Sequence, residues 1–541
     1  MSRSARRRVL ALLAIVSALL PAGCSAPRAP ARVATVWLAG HPLPAFDPDG
    51  PPDALRQALE RQLSRGLVEA DSTGRVGPAL ADSLGCSRDS LTWTFRLRGD
   101  ARFTDGSPVT SADIRDALMG GLGRDDHATR EWLLAAVRGV ASARSGRRAP
   151  AIGIETAGPS RLVIRLAARE PRLLEKLAVP GVSTPWKRRK GSWRDAVGVG
   201  PYRVAAADGD RMLTLAAAAT PAGVRAAADT LHVRFLSGAI RVRNILRRSG
   251  ADVVWPLPPG FLDTPLAEGW EVVGRTAVPA RRLLLVLRPE VPPLGQLDVR
   301  EALARAIRPG ELALRSGGEP LERWLPGAAG RFAWPATRSV AERTAREEAE
   351  RARQEVARRE LARRSSNRRV PVGTRPESYH VVLAFDADGP GADVAPALQG
   401  QWAAAGDYAE LRGLHGDAAL SQPLRAAGAQ ATLVVSQAPL PGLVPELALL
   451  VQPLRGPVRG AYRTGWRTRE FDRWLLPPGV PASLDPDTVQ ERLAATRIVF
   501  PVASLPWRMA FRTGAIRPHV DPRNGPDWTV SSDTISGART R

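Results

Sequence analysis

A short segment in the first quarter of the chain contains the signals of a strand, a tight turn and a capped helix in direct succession. Residues 91–97 alternate apolar and polar side chains, which predicts a half-buried strand. In the turn that follows, Asp105 can bond its own backbone and Gly106 permits a positive φ. Thr110 and Asp113 have the spacing of a capping box, which begins a helix. These signals together predict one strand–turn–helix unit.

This segment and its flanks resemble the signature region of a known family. Residues 73–84, 91–98 and 101–114 are similar, in their order and spacing, to the bacterial extracellular solute-binding proteins, family 5. Members of that family are the ligand receptors of ABC importers for peptides, nickel and related solutes. The resemblance therefore implies a fold, a location and a task, but it does not identify the ligand.

Two further motifs resemble the same family. The sequence Gly-Val-Gly-Pro-Tyr at 198–202 is similar to the Gly-Thr-Gly-Pro-Tyr that enters a strand in the family. Without the resemblance, the same residues also predict a tight turn. Residues 297–307 resemble the helix that follows the hinge strand, where we expect Arg300 to be a surface or interlobe salt-bridge residue. The resemblance extends from the start of the mature chain to about residue 512, with 339–369 outside it.

The resemblance implies an α/β fold of the periplasmic-binding-protein type II-like class, with two lobes, a hinge and an extra subdomain in lobe I. The length and the hydrophobic fraction of 44% are sufficient for such a large core. The expected division of the chain is a signal peptide at 1–23, a tether at 24–32, lobe I at 33–60, 185–275 and 470–530, the extra subdomain at 61–184, and lobe II at 276–469.

Residues 339–369 form a charged segment within the expected lobe II. Ser339 and Glu342 have capping-box spacing, and acidic residues precede arginines at i,i+4, as in Glu347 and Arg351. The apolar stripe is thin and mostly alanine. These features predict a solvated helical insertion, and a docking helix for the transporter is the functional alternative.

The amino terminus has the pattern of an export signal. Arginines are followed by an apolar run at 9–20, which is too short for a stable membrane span. Pro-Ala-Gly before Cys24 resembles a bacterial lipobox, although leucine usually stands where Pro21 does. We expect Cys24 to be lipidated, which anchors the mature chain to the membrane of the cell envelope. An ordinary secretory signal with an incidental cysteine is the alternative.

The charge balance raises the question of nucleic-acid binding. The formal net charge is +23, and removal of residues 1–23, which contain four arginines and no acids, leaves +19. The arginines are spread along the chain, and no basic stretch is interleaved with the aromatic residues that single-strand binders use. We therefore expect no nucleic-acid partner, and attraction to anionic lipid is the milder consequence.

The sequence offers little support for catalysis, a metal or a cofactor. Cys86 is the one cysteine besides Cys24, and we expect it to be a buried, inert thiol. The six histidines are scattered, without zinc-like spacing. No Gly-x-Ser-x-Gly or His-Glu-x-x-His motif is present, which disfavours the hydrolase hypothesis. We therefore expect a binding protein without catalytic residues, metal or cofactor.

The resemblance fails at the motif that binds the peptide amino group. Peptide-binding members carry Asp-Tyr-x-Asp-Pro, in which an aspartate pairs with the ligand ammonium. If Pro441 is the proline of that motif, Gln437 takes the place of this aspartate and Leu440 that of the second acid. Gln437 offers a hydrogen-bond acceptor but no charge. Peptide binding is therefore in doubt, and other solutes stay open.

The candidate cleft residues come from the end of the first strand, from the aromatic side chains and from the altered motif. We expect the hinge near Val286. The candidate ligand-binding residues are Trp37, Leu38, Ala39, Gly40, His41, Trp402, Gln437 and Trp466.

The leading functional hypothesis is the solute-binding component of an ABC importer. A monomer anchored by lipid would capture a peptide-like or other small solute by closure of two lobes and deliver it to permease and ATPase subunits. The alternative is a degenerate relative that serves as an envelope scaffold or regulatory lipoprotein without transport.

Overall fold

The structure is a computed structural model. It describes residues 32–39, 54–70, 75–120, 122, 132–140, 151–187, 192–209, 211–218, 224–236, 244–247, 250–257, 268–275, 281–325, 328–335, 380–387, 389–415, 428–436, 447, 452–453, 467–468, 485–505, 507–512, 519–521, 525–527 and 529–531. The predictions for the signal peptide, the lipidation site, most of the tether and the charged insertion lie outside these residues. So do the predictions for Gly40, His41, Gln437 and Trp466.

The described strands alternate along the chain with a smaller number of helices. In chain order the strands are β1 Val33–Ala39, β2 Val68–Ala70, β3 Val76–Pro78, β4 Ala81–Cys86, β5 Thr92–Leu97, β6 Ile154–Thr156, β7 Arg161–Arg165, β8 Tyr202–Asp208, β9 Met212–Ala217, β10 Val224–Ala226, β11 Thr230–Leu236, β12 Val253–Trp255, β13 Trp270–Arg275, β14 Arg281–Leu287, β15 Glu319–Pro320, β16 His380–Asp386, β17 Tyr408–Leu414, β18 Ala431–Ser436, β19 Gln452–Pro453, β20 Arg467–Thr468, β21 Val499–Leu505, β22 Trp507–Arg512, β23 His519–Asp521, β24 Gly525–Asp527 and β25 Thr529–Ser531.

The described helices are short, and several begin with a proline or with a side-chain cap. They are α1 Ala54–Leu63, α2 Ser111–Met119, α3 Leu173–Leu177, α4 Leu297–Arg305, α5 Pro309–Arg315, α6 Gly391–Ala404 and α7 Pro486–Thr496, with a 3₁₀ turn at Trp193–Asp195. Among the described residues, no helix is long and apolar enough to cross a membrane.

Two large sheets organise the fold. The first has the order β13-β22-β12-β1-β11-β9-β8, and the second has the order β15-β21-β14-β18-β16-β17. Alternation along the first sheet buries Val36, Leu38 and their neighbours in one apolar cluster, whereas Ala39 and Ala510 belong to a smaller cluster on the other face. In the second sheet, β14 is buried along nearly its whole length because both of its faces are covered.

Within the described residues, the strands on either side of the two connections (passages) between the sheets are paired with each other. Strand β13 pairs with β22 up to Arg275 and Trp507, and beyond the passage β14 pairs with β21 from Arg281 and Leu505 onward. Five residues, 276–280, connect one pair of strands, whereas Pro506 alone connects the other. The segment 470–530, which the sequence analysis assigned to lobe I, therefore contributes strands to both sheets.

Val286, near which we expected the hinge, lies within the second sheet rather than between the two sheets. Val286 is fully buried in the middle of the second sheet, where it pairs with Thr432 on one side and Val499 on the other. The passages between the sheets lie at 276–280 and at Pro506. The unbroken run of apolar residues in β14 is typical of a central strand, and the sequence pattern alone does not locate where that strand leaves its sheet.

The predicted strand–turn–helix unit is confirmed within a four-stranded sheet of order β4-β5-β7-β6. Strand β5 is half-buried, and Gly106 has a φ of 87°. The Asp105 carboxylate accepts the Ser107 amide at 3.0 Å. At the start of α2, Asp113 accepts the Thr110 amide at 2.7 Å, and Thr110 accepts the Asp113 amide at 3.4 Å, so the capping box is complete.

Candidate functional site

In the first sheet, three neighbouring strands end at one edge. Strand β1 runs parallel to both β11 and β12, with Leu38 paired with Phe235 and Trp255. The carboxyl ends of these strands therefore lie together. Because β12 is antiparallel to β22, and β22 begins at the passage between the sheets, this edge is the one that faces the second sheet.

The second sheet has a matching edge. Strand β16 is parallel to β17 and β18, so these strands also end together, at Asp386, Leu414 and Ser436. Strand β14 is antiparallel to β18 and places Arg282, near the passage, opposite Ser436. The carboxyl ends of the second sheet thus also face the passages.

The carboxyl ends of parallel strands from both sheets therefore converge on the two passages. In open α/β sheets, ligands bind outside the carboxyl ends of the strands, where loops and helix starts gather. Two bodies joined by paired passages can also close on a solute by hinge bending. We take this interlobe region as the candidate site. The Gln437 segment follows directly on β18, and residues 40–41 follow directly on β1.

The three described candidates on β1 differ in accessibility. Trp37 is half-buried, and its indole N–H donates to the Gly250 carbonyl oxygen at 3.3 Å. The guanidinium of Arg234, its register partner on β11, lies 5.4 Å from the centre of the Trp37 ring. Leu38 is fully buried in the apolar core, and Ala39 is buried on the opposite face. Of the three, Trp37 has accessible surface to offer to a solute.

Trp402 lies in the core of the second lobe rather than in the cleft. Its side chain is fully buried on α6, and its indole N–H donates to the Leu303 carbonyl oxygen of α4 at 3.1 Å. The adjacent Gln401 accepts the Arg308 amide at 2.9 Å. These contacts fix α6 against α4 and α5. The expectation that Trp402 contacts a ligand is corrected, because a packed indole with its hydrogen bond satisfied has no surface left for one.

Arg300 also differs from its expectation, because it is buried and bonds to carbonyl groups. Its guanidinium donates to Leu294 O at 2.6 Å, to Gly295 O at 3.1 Å and twice to Thr496 O, at 3.0 and 3.1 Å. Thr496 is the last residue of α7, so Arg300 caps that helix. Burial lowers the pKa of Arg300, and nearby Asp298 opposes this shift.

The packing of the Gly-Val-Gly-Pro-Tyr motif explains why it contains two glycines and a tyrosine. The Gly200 amide donates to the Leu63 carbonyl oxygen at 2.8 Å, and a Cβ on Gly198 would lie 2.2 Å from the same oxygen. Tyr202 is fully buried, and its hydroxyl accepts the Ala228 amide at 3.1 Å. The glycines therefore let the loop lie directly on the end of α1. The motif joins parts of the fold and is not a ligand loop.

The two family signatures meet at one junction. The amide of Thr104, in the first signature, donates to the carbonyl oxygen of Gly198 at 2.9 Å. The Lys187 ammonium donates to the Asp105 carboxylate at 2.6 Å. The hydrogen bonds from Lys187 and Ser107 lower the Asp105 pKa to about 2. The turn that the sequence predicted is thus also a long-range contact.

Cys86 is exposed, which corrects the expectation of a buried thiol. It is the last residue of β4, whose residues after Ala81 face solvent. Within the part of the chain that the structure describes, no group of three or more His, Cys, Asp and Glu side chains is arranged to hold a metal ion.

The two α/β bodies with paired passages define a bilobal binding protein of the type II-like class. The family model described as bacterial extracellular solute-binding proteins, family 5 Middle, matches residues 75–435. The chain therefore belongs to this family. The sequence resemblance to this family is therefore confirmed.

Sequence similarity to curated relatives is local. The periplasmic oligopeptide-binding protein OppA of Haemophilus influenzae is 41% identical over 70 residues, which is 13% of this chain and 13% of that protein. The alignments with the other curated relatives OppA and GsiB of Escherichia coli also span less than a quarter of either chain. The alignments with these curated relatives therefore each cover less than a quarter of either protein.

The similarity of folds extends over nearly the whole chain. Listeria monocytogenes OppA bound to peptide has a TM-score of 0.73 at 14% identity, and the superposition covers 93% of this chain and 99% of that one. NikA from Staphylococcus aureus in complex with Ni(L-His)2 has a TM-score of 0.70 at 14% identity, covering 92% and 100%. The predicted α/β, type II-like, two-lobe fold is confirmed.

Proposed function

We propose that this chain is the solute-binding component of an ABC importer, which captures a small solute between its lobes and delivers it to permease and ATPase subunits. The observation that carries the proposal is the convergence of strand ends from both sheets on two adjacent passages. Such a geometry supports binding by closure, in which the solute shifts a population from open to closed. Family membership supports the same role and a function without catalysis.

We also propose that the solute is a small molecule. One relative of similar fold is a peptide receptor, and another carries a nickel chelate, so the fold alone accommodates different chemistries. The candidate contacts are Trp37 on β1 and the segments that follow β1 and β18, including Gly40, His41 and Gln437. Trp466 stays a candidate from sequence.

We test the proposal by small-angle X-ray scattering and thermal unfolding of the mature protein, first unfolded and refolded to remove any retained solute. A panel of peptides, metal chelates, opines and sugars is added in turn. The proposal predicts a smaller radius of gyration together with a higher Tm for at least one compound class. Unchanged values across the whole panel would contradict it and favour the scaffold alternative.

We also propose that the protein is a monomer in the cell envelope, anchored to the membrane by lipid at Cys24. The support is the arginine-rich, apolar and small-residue pattern that ends at this cysteine. Cys24→Ala is expected to abolish labelling by a radioactive fatty acid and to release the protein from the membrane fraction. An unsubstituted protein that incorporates no fatty acid and lies in the soluble fraction would favour an ordinary secretory signal.

A further inference from the structure

One face of the first sheet carries arginines beside an accessible tryptophan. Ala39 and Ala510 belong to the same apolar cluster, so alternation along β22 places Arg508 on the face that Trp37 and Ala39 share. Arg234 is on this face too, because its guanidinium lies over the Trp37 ring. The charges of Arg508 and Arg234 thus flank the carboxyl end of β1.

The backbone of Arg508 is held by hydrogen bonds in the first sheet, whereas its guanidinium has no hydrogen-bond partner among the described residues. Its carbonyl oxygen accepts the Leu257 amide at 2.8 Å, and Gly274 lies opposite it in register. The side chain is half-buried, and among the described residues its guanidinium forms neither a hydrogen bond nor an ion pair. Burial lowers the pKa of Arg508, and Glu319 in the second sheet acts in the opposite direction. A partly desolvated cation of this kind gains from an anion beside it.

The registers place Arg508 close to the end of β1. Leu38 pairs with Trp255 of β12, and the preceding residue of β12 pairs with Ala510 of β22. Two strand spacings, roughly 9–10 Å, therefore separate the backbone of β1 from that of β22. Arg234 lies one strand spacing away on the other side of β1. An anion above the end of β1 is within reach of both guanidinium groups.

Glu319 of the second sheet is the acid whose charge acts on Arg508, and within the described residues the two side chains do not form an ion pair. Neither Arg234 nor Arg508 forms an ion pair within the described residues, and the Arg234 guanidinium contacts the Trp37 ring. In the sequence, no acid occurs between Asp417 and Glu446, the stretch that contains the altered amine-binding motif. The two arginines therefore favour a negative group beside Trp37.

We propose that the solute carries an anionic group, such as a carboxylate, which Arg508 and Arg234 bind beside Trp37 at the carboxyl end of β1. This inference rests on the proposed function and adds the charge class of the solute. Arg508 is then a residue that determines specificity, because its fork-shaped guanidinium binds two carboxylate oxygens at once.

The test compares matched probes on the refolded mature protein by isothermal titration calorimetry. The carboxylate probes are succinate, citrate and N-acetyl-trialanine, and each is paired with its neutral amide. Arg508→Met removes the proposed contact, and Arg508→Lys retains the charge without the fork. Arg512→Met is the matched control, because Arg512 lies on the same strand and face, four residues further from the passage, with its guanidinium over Trp270.

The inference predicts that at least one carboxylate binds tenfold or more tightly than its amide, and that this preference weakens with added salt. Arg508→Met is expected to lose about tenfold or more in affinity, as for a charged hydrogen bond, while Arg512→Met changes it little. Absence of binding by every carboxylate, or an equal affinity for an amide or an amine, would overturn the inference. Tight binding of a neutral or cationic compound instead would overturn the inference about charge, but it would still support the proposed function of solute binding.

Discussion

The amide of Gly200 donates a 2.8 Å hydrogen bond to the carbonyl oxygen of Leu63, the last residue of α1. A Cβ on Gly200 would lie 2.3 Å from the Leu63 carbonyl carbon and 2.4 Å from the Gln62 oxygen. Both neighbours are backbone atoms and cannot rotate away. This contact explains why the second family motif has glycine on both sides of Val199.

We expect Gly200→Ala to destabilise the protein by about 1–3 kcal/mol, because the added methyl group forces the loop off the helix end. Urea unfolding measures the change. Gly85→Ala is the matched control, since a Cβ there meets nothing within 4 Å, and it is expected to leave stability unchanged or to raise it by up to about 1 kcal/mol. Equal stabilities of the two variants would contradict the assigned contact.

Asp105 is expected to make stability depend on pH in the acid range. Its folded-state pKa of about 2 lies below the ordinary value of 3.8, so its contribution is present above about pH 4 and is lost as the pH falls towards 2. Both partners of the Asp105–Lys187 pair are more than one third exposed, so Asp105→Asn costs about 0.2–1 kcal/mol at pH 7. Denaturant unfolding of both proteins from pH 7 to pH 2.5 measures the difference. A difference that stays constant as the pH falls would contradict the assignment.

Arg300→Ala is expected to cost about 2 kcal/mol or more, because it removes charge-assisted hydrogen bonds to the end of α7 and leaves buried carbonyl groups unpaired. Arg300→Lys is expected to recover part of the loss, since an ammonium cannot reproduce the planar fork. Arg305→Ala, on the same helix in an exposed pair with Glu301, serves as the control with about 0.5 kcal/mol or less. An Arg300→Ala protein as stable as this control would refute the capping role.

Trp402→Phe is expected to lower the free energy of unfolding by about 1–3 kcal/mol, since the Leu303 carbonyl oxygen loses its buried donor. The substitution leaves solute binding unchanged, because the side chain has no exposed surface. Thermal unfolding and the mass of any solute retained during purification give the two readouts. A variant that loses its retained solute but keeps its stability would indicate that Trp402 contacts the solute.

Local signals were predicted well from the sequence. The capping box of Thr110 and Asp113 and the Asp105 turn are each formed by residues two or three apart, so their geometry follows from spacing alone. The fold class followed from family motifs, which the family match and the similar structures confirm.

Long-range packing was not predictable in the same way. Arg300 and Trp402 have ordinary amphipathic positions in the sequence, and their roles depend on Thr496 and Leu303, which are distant in the sequence or lie on another helix. The apolar pattern of β14 predicted a buried strand, but it did not indicate where the chain enters the second sheet. The sequence around Arg508 gave no indication of a role, because its position beside the end of β1 follows from the register of β22 against β12.

The central claim is that the lobes enclose a solute. The most direct measurement is a native mass spectrum of the mature protein purified from the cell envelope without denaturation. The account predicts an additional mass at one copy per chain, with an acidic group in its fragments. The account would be contradicted if the spectrum shows the chain without an additional mass and if no compound of the panel reduces the radius of gyration.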